Sequence, residues 1–546
     1  MLFVLAVVLP AFSAESTTSP SYRVIHEVDT IWNFGYKGIN LASRKMHRID
    51  IAYPSKDFDG SDIELSGYVC IPHEIYSGEQ PCDGILIYNH YTQTSHNDAP
   101  TRGYSIGEDM VMANPLKPNY IVVCSDFIGF GISGNRLQAF CFNDINGQAN
   151  IDCFLAARKM LGERNIPQGK FVINAGYSSG GFDAIATQRV RDMKYKDQIT
   201  IHKTLCGGMP FDIMAAYKQF IEWKDSTNID ATCLPMVLGI YNKLAKLGYT
   251  NEQMFKEPFA SKYDEWFLSG KHSISEVMDS LKGKKLSELV NEPFLDKYSN
   301  EYKHVEEAAK QHALSNGWIP DSTQRYFVLH LVRDNVVPVQ GGRAFIKFLS
   351  SMDYDGKKCA GYKKSIVPER TRLQTNFFIP SEKHTLIGGT IFYLNLAATL
   401  QATPILFYDD ELNTHYADLV EPATVMGIIH LLEQKGFDVR GAVQKLMAEN
   451  ESSSGGGFFE FLSKLDETLK GIGTNTVELL QILDDSGVEL TDILQVYAYL
   501  TTPVASARAM STDEAKQIMS PFITDFYFKQ LNDWLIKNNV NLSEEY

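Results

Sequence analysis

Two continuously apolar runs, "GILIYNH" (84–90) and "YIVVCSD" (120–126), are followed by a helical stretch, "INGQANIDCFLAARKMLGE" (145–163), and then by a third apolar run in "KFVINAGY". Short runs without polar alternation are strands covered on both faces. Strand, helix and strand in that order make the crossover unit of a doubly wound, mostly parallel sheet, so the chain reads as α/β. Two earlier runs, "RIDIAYP" (48–54) and "IELSGYVCIP" (63–72), alternate polar and apolar as half-exposed strands do. The expected sheet therefore has an antiparallel edge and a parallel centre. Its later strands are expected at "ITIHKTLCGG" (199–208), "RYFVLHLV" (325–332) and "TNFFIP" (375–380).

Between Gly208 and about Ser322 the period changes. "IMAAYKQFIEW", "MVLGIYNKLAKLG", "SISEVMDSLKGKKLSELV" and "YKHVEEAAKQHAL" carry apolar residues at three- and four-residue spacing, a helical insert of about 110 residues between two strands. Its Phe220, Trp223, Met254 and Phe255 suit either a lid over an apolar pocket or the insert's own core. Beyond residue 400 the patterns are again helical, broken by the linker-like "ESSSGGG" (451–457). The expected organisation is a catalytic domain at 15–208 and 323–400, the insert at 209–322, and a helical C-terminal region at 401–546.

The 546 residues exceed what one core ordinarily supports, which fits a main domain with additions. A formal net charge of -15 without a basic counterweight argues against a nucleic-acid surface. "MLFVLAVVLPAFSA" reads as the apolar part and cleavage site of a signal peptide (1–14), and export is expected, although the usual Lys or Arg before the run is missing. No later apolar stretch is long enough to span a bilayer. The eight cysteines permit disulfides without demanding them; Cys124 and Cys206 sit in apolar strand runs as buried thiols would. None has the close paired spacing of a zinc site, and no structural metal is expected.

The chemistry centres on Gly176-Tyr177-Ser178-Ser179-Gly180. A serine hydroxyl needs a neighbouring base, and a sharp strand-to-helix turn lifts it clear of the sheet; small residues flank it because two backbones approach closely there. The G-x-S-x-G match alone is weak, and the strand before it and helix after it strengthen it. Such a turn calls for an acid after a later strand and a histidine after the last, in that chain order. Asp334 in "VLHLVRDNVVPV" and His384 in "FFIPSEKHTLIGG" meet the demand. Against them stand the readings of a plain turn aspartate and a solvated loop histidine. His330 reads as a core histidine. Asp126 ends a strand but precedes the serine, so it reads as a brace for the pocket loop. One oxyanion donor is expected at the Ser179 amide and the second at Tyr91 or Thr92, with His90 and Tyr177 facing substrate.

From about 60 to 400 the chain resembles the α/β-hydrolase superfamily, and "SDFIGFG", "GYSSGG", "RDNVVP" and "KHTLIGG", with the helical insert, are most similar to its secretory lipase and esterase branch. The resemblance implies Ser178 as nucleophile, Asp334 as orienting acid and His384 as base, acting without a cofactor on a small ester or lipid. Where that branch often has His-Gly, this chain has His90-Tyr91-Thr92. The same fold would also serve a secreted serine aminopeptidase or dipeptidase, marked by an acidic pair in the insert facing Ser178. A catalytically silent binding protein is the third reading.

Overall fold

The computed structural model describes residues 21–400, apart from 37–38, 104–105, 114–116, 322–323, 332–333, 355–356, 359–372, 380–383, 390–391, 394–395 and 398. The leader expected at 1–14 and the helices and linker expected beyond 400 lie outside the described residues.

Nine strands form one sheet. In chain order they are β1 (Arg23–Tyr36), β2 (Ile39–Lys56), β3 (Asp62–Pro72), β4 (Gly84–Asn89), β5 (Tyr120–Ser125), β6 (Phe171–Tyr177), β7 (Lys203–Gly207) and β8 (Arg325–Leu331). A separate short pair, β9 (Asp353–Tyr354) and β10 (Lys357–Lys358), precedes the last, β11 (Leu373–Ile379). The spatial order is β1-β2-β3-β5-β4-β6-β7-β8-β11. Pairing is antiparallel from β1 to β5 and parallel from β5 to β11. The edge and centre are as the apolar patterns predict.

Central strands are sealed on both faces. Ile85, Ile87, Ile121 and Val123 pack under the helix Ile145–Glu163 with its Phe154 and Met160. On the other face Leu86, Val122, Ile173 and Leu205 meet Phe392 and Leu396. Truncating a residue such as Ile173, fully buried on β6, to alanine costs about 2–5 kcal/mol through lost burial and the cavity left behind.

Two expectations change. The sheet begins with a long hairpin, β1 paired with β2 from Ile39 to Ala52, in a stretch whose charged and polar residues hide strand periodicity; β1 is an edge strand whose described residues are mostly exposed, apart from the fully buried Trp32, so little selects apolar residues along it. The polar face of β2 is also covered rather than solvated. Arg48 Nε donates to Asp50 Oδ1 at 2.7 Å, and its other nitrogens donate to the carbonyls of Pro100 and Gly103 at 2.8 and 2.9 Å. Alternation there records a buried, satisfied polar layer.

Between β7 and β8 the chain is helical. Its longer helices are Ile213–Glu222, Cys233–Leu244, Phe259–Phe267, Ile274–Leu281 and Asn300–Gln311. The run 273–290, which reads as one helix, splits into Ile274–Leu281 and Leu286–Leu289 because Gly283 takes φ +74° between them. Met254 and Phe255 are buried inside the insert, the latter stacked on Tyr263 at 4.5 Å. Phe220 instead faces a cavity, with Trp223 packed edge-on behind it at 6.3 Å. Core and lining both occur, divided between these residues.

Candidate active site

β6 ends at Tyr177 and the helix Ser179–Lys194 starts two residues later, so Ser178 must reverse the chain alone. It does so at φ 62° and ψ −128°, a conformation that costs a non-glycine residue about 1–3 kcal/mol and persists only where its surroundings fix it. Those surroundings are tight. A Cβ at Gly180 would press on the carbonyls of Asn89 and His90, and one at Gly181 would lie 2.7 Å from the Gly207 carbonyl oxygen. The Ser178 amide donates to that same Gly207 oxygen at 2.8 Å. Beneath the turn lies a buried amide network that motif reading missed. Asn89 Nδ2 donates to Asn174 Oδ1 at 2.8 Å, Asn150 Nδ2 donates to Asn89 Oδ1 at 2.5 Å, and Asn174 Nδ2 donates to the Ala184 carbonyl at 2.7 Å. It ties β4, β6 and both flanking helices into one rigid support.

The three residues singled out by order and strand context meet in one hydrogen-bonded chain. His384 Nδ1 lies 2.6 Å from Asp334 Oδ2, and its Nε2 lies 2.9 Å from Ser178 Oγ. Because a carboxylate only accepts, Nδ1 carries the proton and Nε2 turns its lone pair to the serine hydroxyl. The other oxygen of Asp334 accepts the amides of Val336 and Val337 at 2.9 and 2.8 Å. Burial pushes the Asp334 carboxyl up, but the charge and hydrogen bond of His384, with His330 and the Val337 amide, outweigh it and hold it below the ordinary carboxylate value.

His384 is almost fully buried, in a wide six-residue helical turn, His384–Gly389. Tyr177 fixes that turn: its hydroxyl donates to the His384 carbonyl at 2.9 Å and its ring lies 4.9 Å from the imidazole. His330, buried as expected, points Nε2 at the Val337 carbonyl, 3.0 Å away, and so holds the acid loop; its Nδ1 finds no partner among the described residues.

On the oxyanion side, Ser179 opens its helix, where amides have no intrahelical acceptor. Of the two candidates for the second donor, Thr92 lines the cavity beside Ser178 and Ser179, and its hydroxyl donates to Ser179 Oγ at 3.1 Å. Tyr91 is not in the lining. His90 and Tyr177, read as facing substrate, sit elsewhere. Tyr177 lies behind His384, and His90 directs Nδ1 to the Tyr91 carbonyl at 2.8 Å while packing on Phe127 at 4.4 Å. Burial lowers the His90 pKa to about 4, so it is a neutral strut under the loop. Asp126 accepts Ser66 Oγ at 2.5 Å and Thr101 Oγ1 and N at 2.6 and 2.7 Å, clamping the loop after β4 to β3.

The cavity at Ser178 is walled by the loops of Phe140–Cys141 and Val336–Pro338 and by the insert, through Ile213, Tyr217, Phe220, Leu234 and Val237 among others. None of its lining residues is charged. It is narrow, with a cavity volume of about 30 Å³. The insert side of this wall carries no motif, and of its residues the sequence offered Phe220 alone as pocket lining.

Solved hydrolases share this fold. A candidate hydrolase from Legionella pneumophila superposes with a TM-score of 0.55 at 16% identity, over 69% of this chain and 97% of its own. The rice cell wall degrading esterase LipA from Xanthomonas oryzae does so with a TM-score of 0.54 at 17% identity, over 68% of this chain and 96% of its own. No protein-family model matches the sequence, and no curated protein matches it. The chain has the α/β-hydrolase fold.

Proposed function

We propose that the protein is a serine hydrolase of carboxylic esters. The observation that carries this reading is the Asp334–His384–Ser178 hydrogen-bonded chain at the wall of an uncharged, apolar cavity. His384 Nε2 takes the Ser178 proton as Oγ attacks the acyl carbon, and the developing oxyanion is held by the Ser179 amide with Thr92 as second donor. Asp334 keeps the imidazole in the required tautomer and stabilises its charged form. His384 then hands the proton to the departing alcohol, leaving an acyl-enzyme. Water, deprotonated by His384, frees the acid and restores the serine. Each step uses groups of the chain, the ester and water.

An apolar lining without charge suits an acyl chain, which favours an ester; one acid of the insert, Asp230, feels the charge of His384, but its carboxyl accepts the Thr232 amide at 2.8 Å. Its narrowness favours short chains. The test is hydrolysis of p-nitrophenyl esters from acetate to palmitate, with Ser178→Ala alongside. Serine-dependent turnover highest on short acyl chains is expected. Hydrolysis confined to peptides with a free amino terminus would overturn the ester reading.

A further inference from the structure

At the opposite ends of the central strands a second, polar cleft of about 300 Å³ opens where β4 and β6 begin and β7 is about to. Ser178 follows the last residue of β6 and this cleft its first, which puts the two sites about 20 Å apart. Arg158, on the helix Ile145–Glu163, and Lys170 and His202, just before β6 and β7, share the cleft.

Neither cation has a carboxylate partner among the described residues, in a chain where 66 acidic residues outnumber 51 basic ones. Both side chains are exposed, and each lies near an aromatic ring. Arg158 Nε donates to Gln168 Oε1 at 3.1 Å while Gln168 Nε2 donates back to the Arg158 carbonyl at 2.9 Å, and the guanidinium lies 5.7 Å from the centre of the Phe154 ring. The Lys170 ammonium lies 5.5 Å from the centre of the Phe171 ring. His202 Nδ1 accepts the Val172 amide at 3.1 Å, so its proton is on Nε2, a further donor. Burial, then the charge of Lys170, with Arg325 and Arg191 behind, lowers the His202 pKa to about 4, which marks the ground as positive and the imidazole as neutral.

Two cations line one cleft whose lining holds no acidic residue to balance them. We propose that this cleft binds a small phosphate monoester, its phosphate bridging Arg158 and Lys170 and its organic part filling the remaining space. A phosphate monoester carries about two negative charges near neutrality, the number the two cations match, whereas a monocarboxylate leaves one unmatched.

The test is calorimetric titration of the full chain, at constant ionic strength, with inorganic phosphate, phenyl phosphate and acetate. Saturable one-to-one binding of both phosphates is expected, phenyl phosphate the tighter and acetate at least tenfold weaker. Arg158→Gln and Lys170→Gln should each weaken phosphate at least tenfold. Lys262→Gln, an exposed lysine over Trp266 on the insert, should leave it unchanged. In the unsubstituted protein, saturating phenyl phosphate should slow acetylation of Lys170 by an N-hydroxysuccinimide ester and spare Lys262. Absence of saturation, acetate binding as tight as phosphate, binding indifferent to Arg158→Gln and Lys170→Gln, or unchanged Lys170 acetylation would each overturn the proposal.

Discussion

Asp126 and Asp334 are alike in position and unlike in company. Each follows the end of a parallel strand, and they are 0% and 1% exposed. Asp126 receives only neutral donors, the hydroxyls of Ser66 and Thr101 and one amide, and burial raises its pKa despite them. Asp334 receives two amides and the one donor that can become a cation, His384, and its pKa is lowered. Burial alone therefore makes a brace. An acid fit to serve a proton-accepting histidine needs a free oxygen aimed at the imidazole and amides to hold the other.

Substitutions can break that contrast. The largest effect is expected at the hydrogen-bonded chain: Ser178→Ala or His384→Ala should lower kcat on a p-nitrophenyl ester by at least about 10⁴-fold. Asp334→Asn should approach that loss, about 10⁴-fold, because the amide would donate to Nδ1 and move the imidazole proton to Nε2, where it blocks the serine. Thermal unfolding should show all three still folded. Asp126→Asn should do the reverse. Replacing an oxygen that accepts two hydroxyls is expected to cost about 1–3 kcal/mol in denaturant unfolding while kcat changes less than about tenfold. A 10⁴-fold loss of kcat at Asp126 with none at Asp334 would exchange their roles.

A third aspartate sharpens the comparison at smaller amplitude. Asp183, in the helix after Ser178, is buried with only the Asn146 amide beside it, at 3.2 Å, among the described residues, and burial raises its pKa to about 8. Between about pH 4 and 8 the folded chain keeps a proton that the unfolded chain has released, so this group's contribution to stability falls as pH rises across that window. Asp334, shifted the other way, contributes stability that is lost as pH falls through its lowered value. Asp183→Asn should thus stabilise the protein by a few kcal/mol at pH 8 and by little at pH 4, read as the difference in denaturation midpoints. An equal effect at both pH values would show that the carboxyl is ionised in the folded state.

The parts of this molecule that were legible in the sequence are those where one residue type has one physical use. Continuous apolar runs found the central strands, because only a doubly covered strand wants them. Gly176, Gly180 and Gly181 pointed to the turn, because each sits where a Cβ would meet backbone or, at Gly181, also Met209. Chain order led to Asp334 and His384. What could not be read has several uses for each residue. The β1 edge alternates no cleaner than a loop, and the polar face of β2 resembles a solvated one until Arg48 is seen bonded to Pro100 and Gly103. His90 and Tyr177 flank the site in sequence, yet their side chains turn to backbone carbonyls. Arg158, Lys170 and His202 come together only through the sheet.

The most direct measurement is exposure of the purified protein to a fluorophosphonate, followed by intact mass and peptide mapping. One adduct per chain, on Ser178, abolished in Ser178→Ala and strongly slowed in His384→Ala, is the expected result. Stoichiometric labelling of another residue, or none on Ser178 in protein that hydrolyses esters, would contradict Ser178 as the nucleophile.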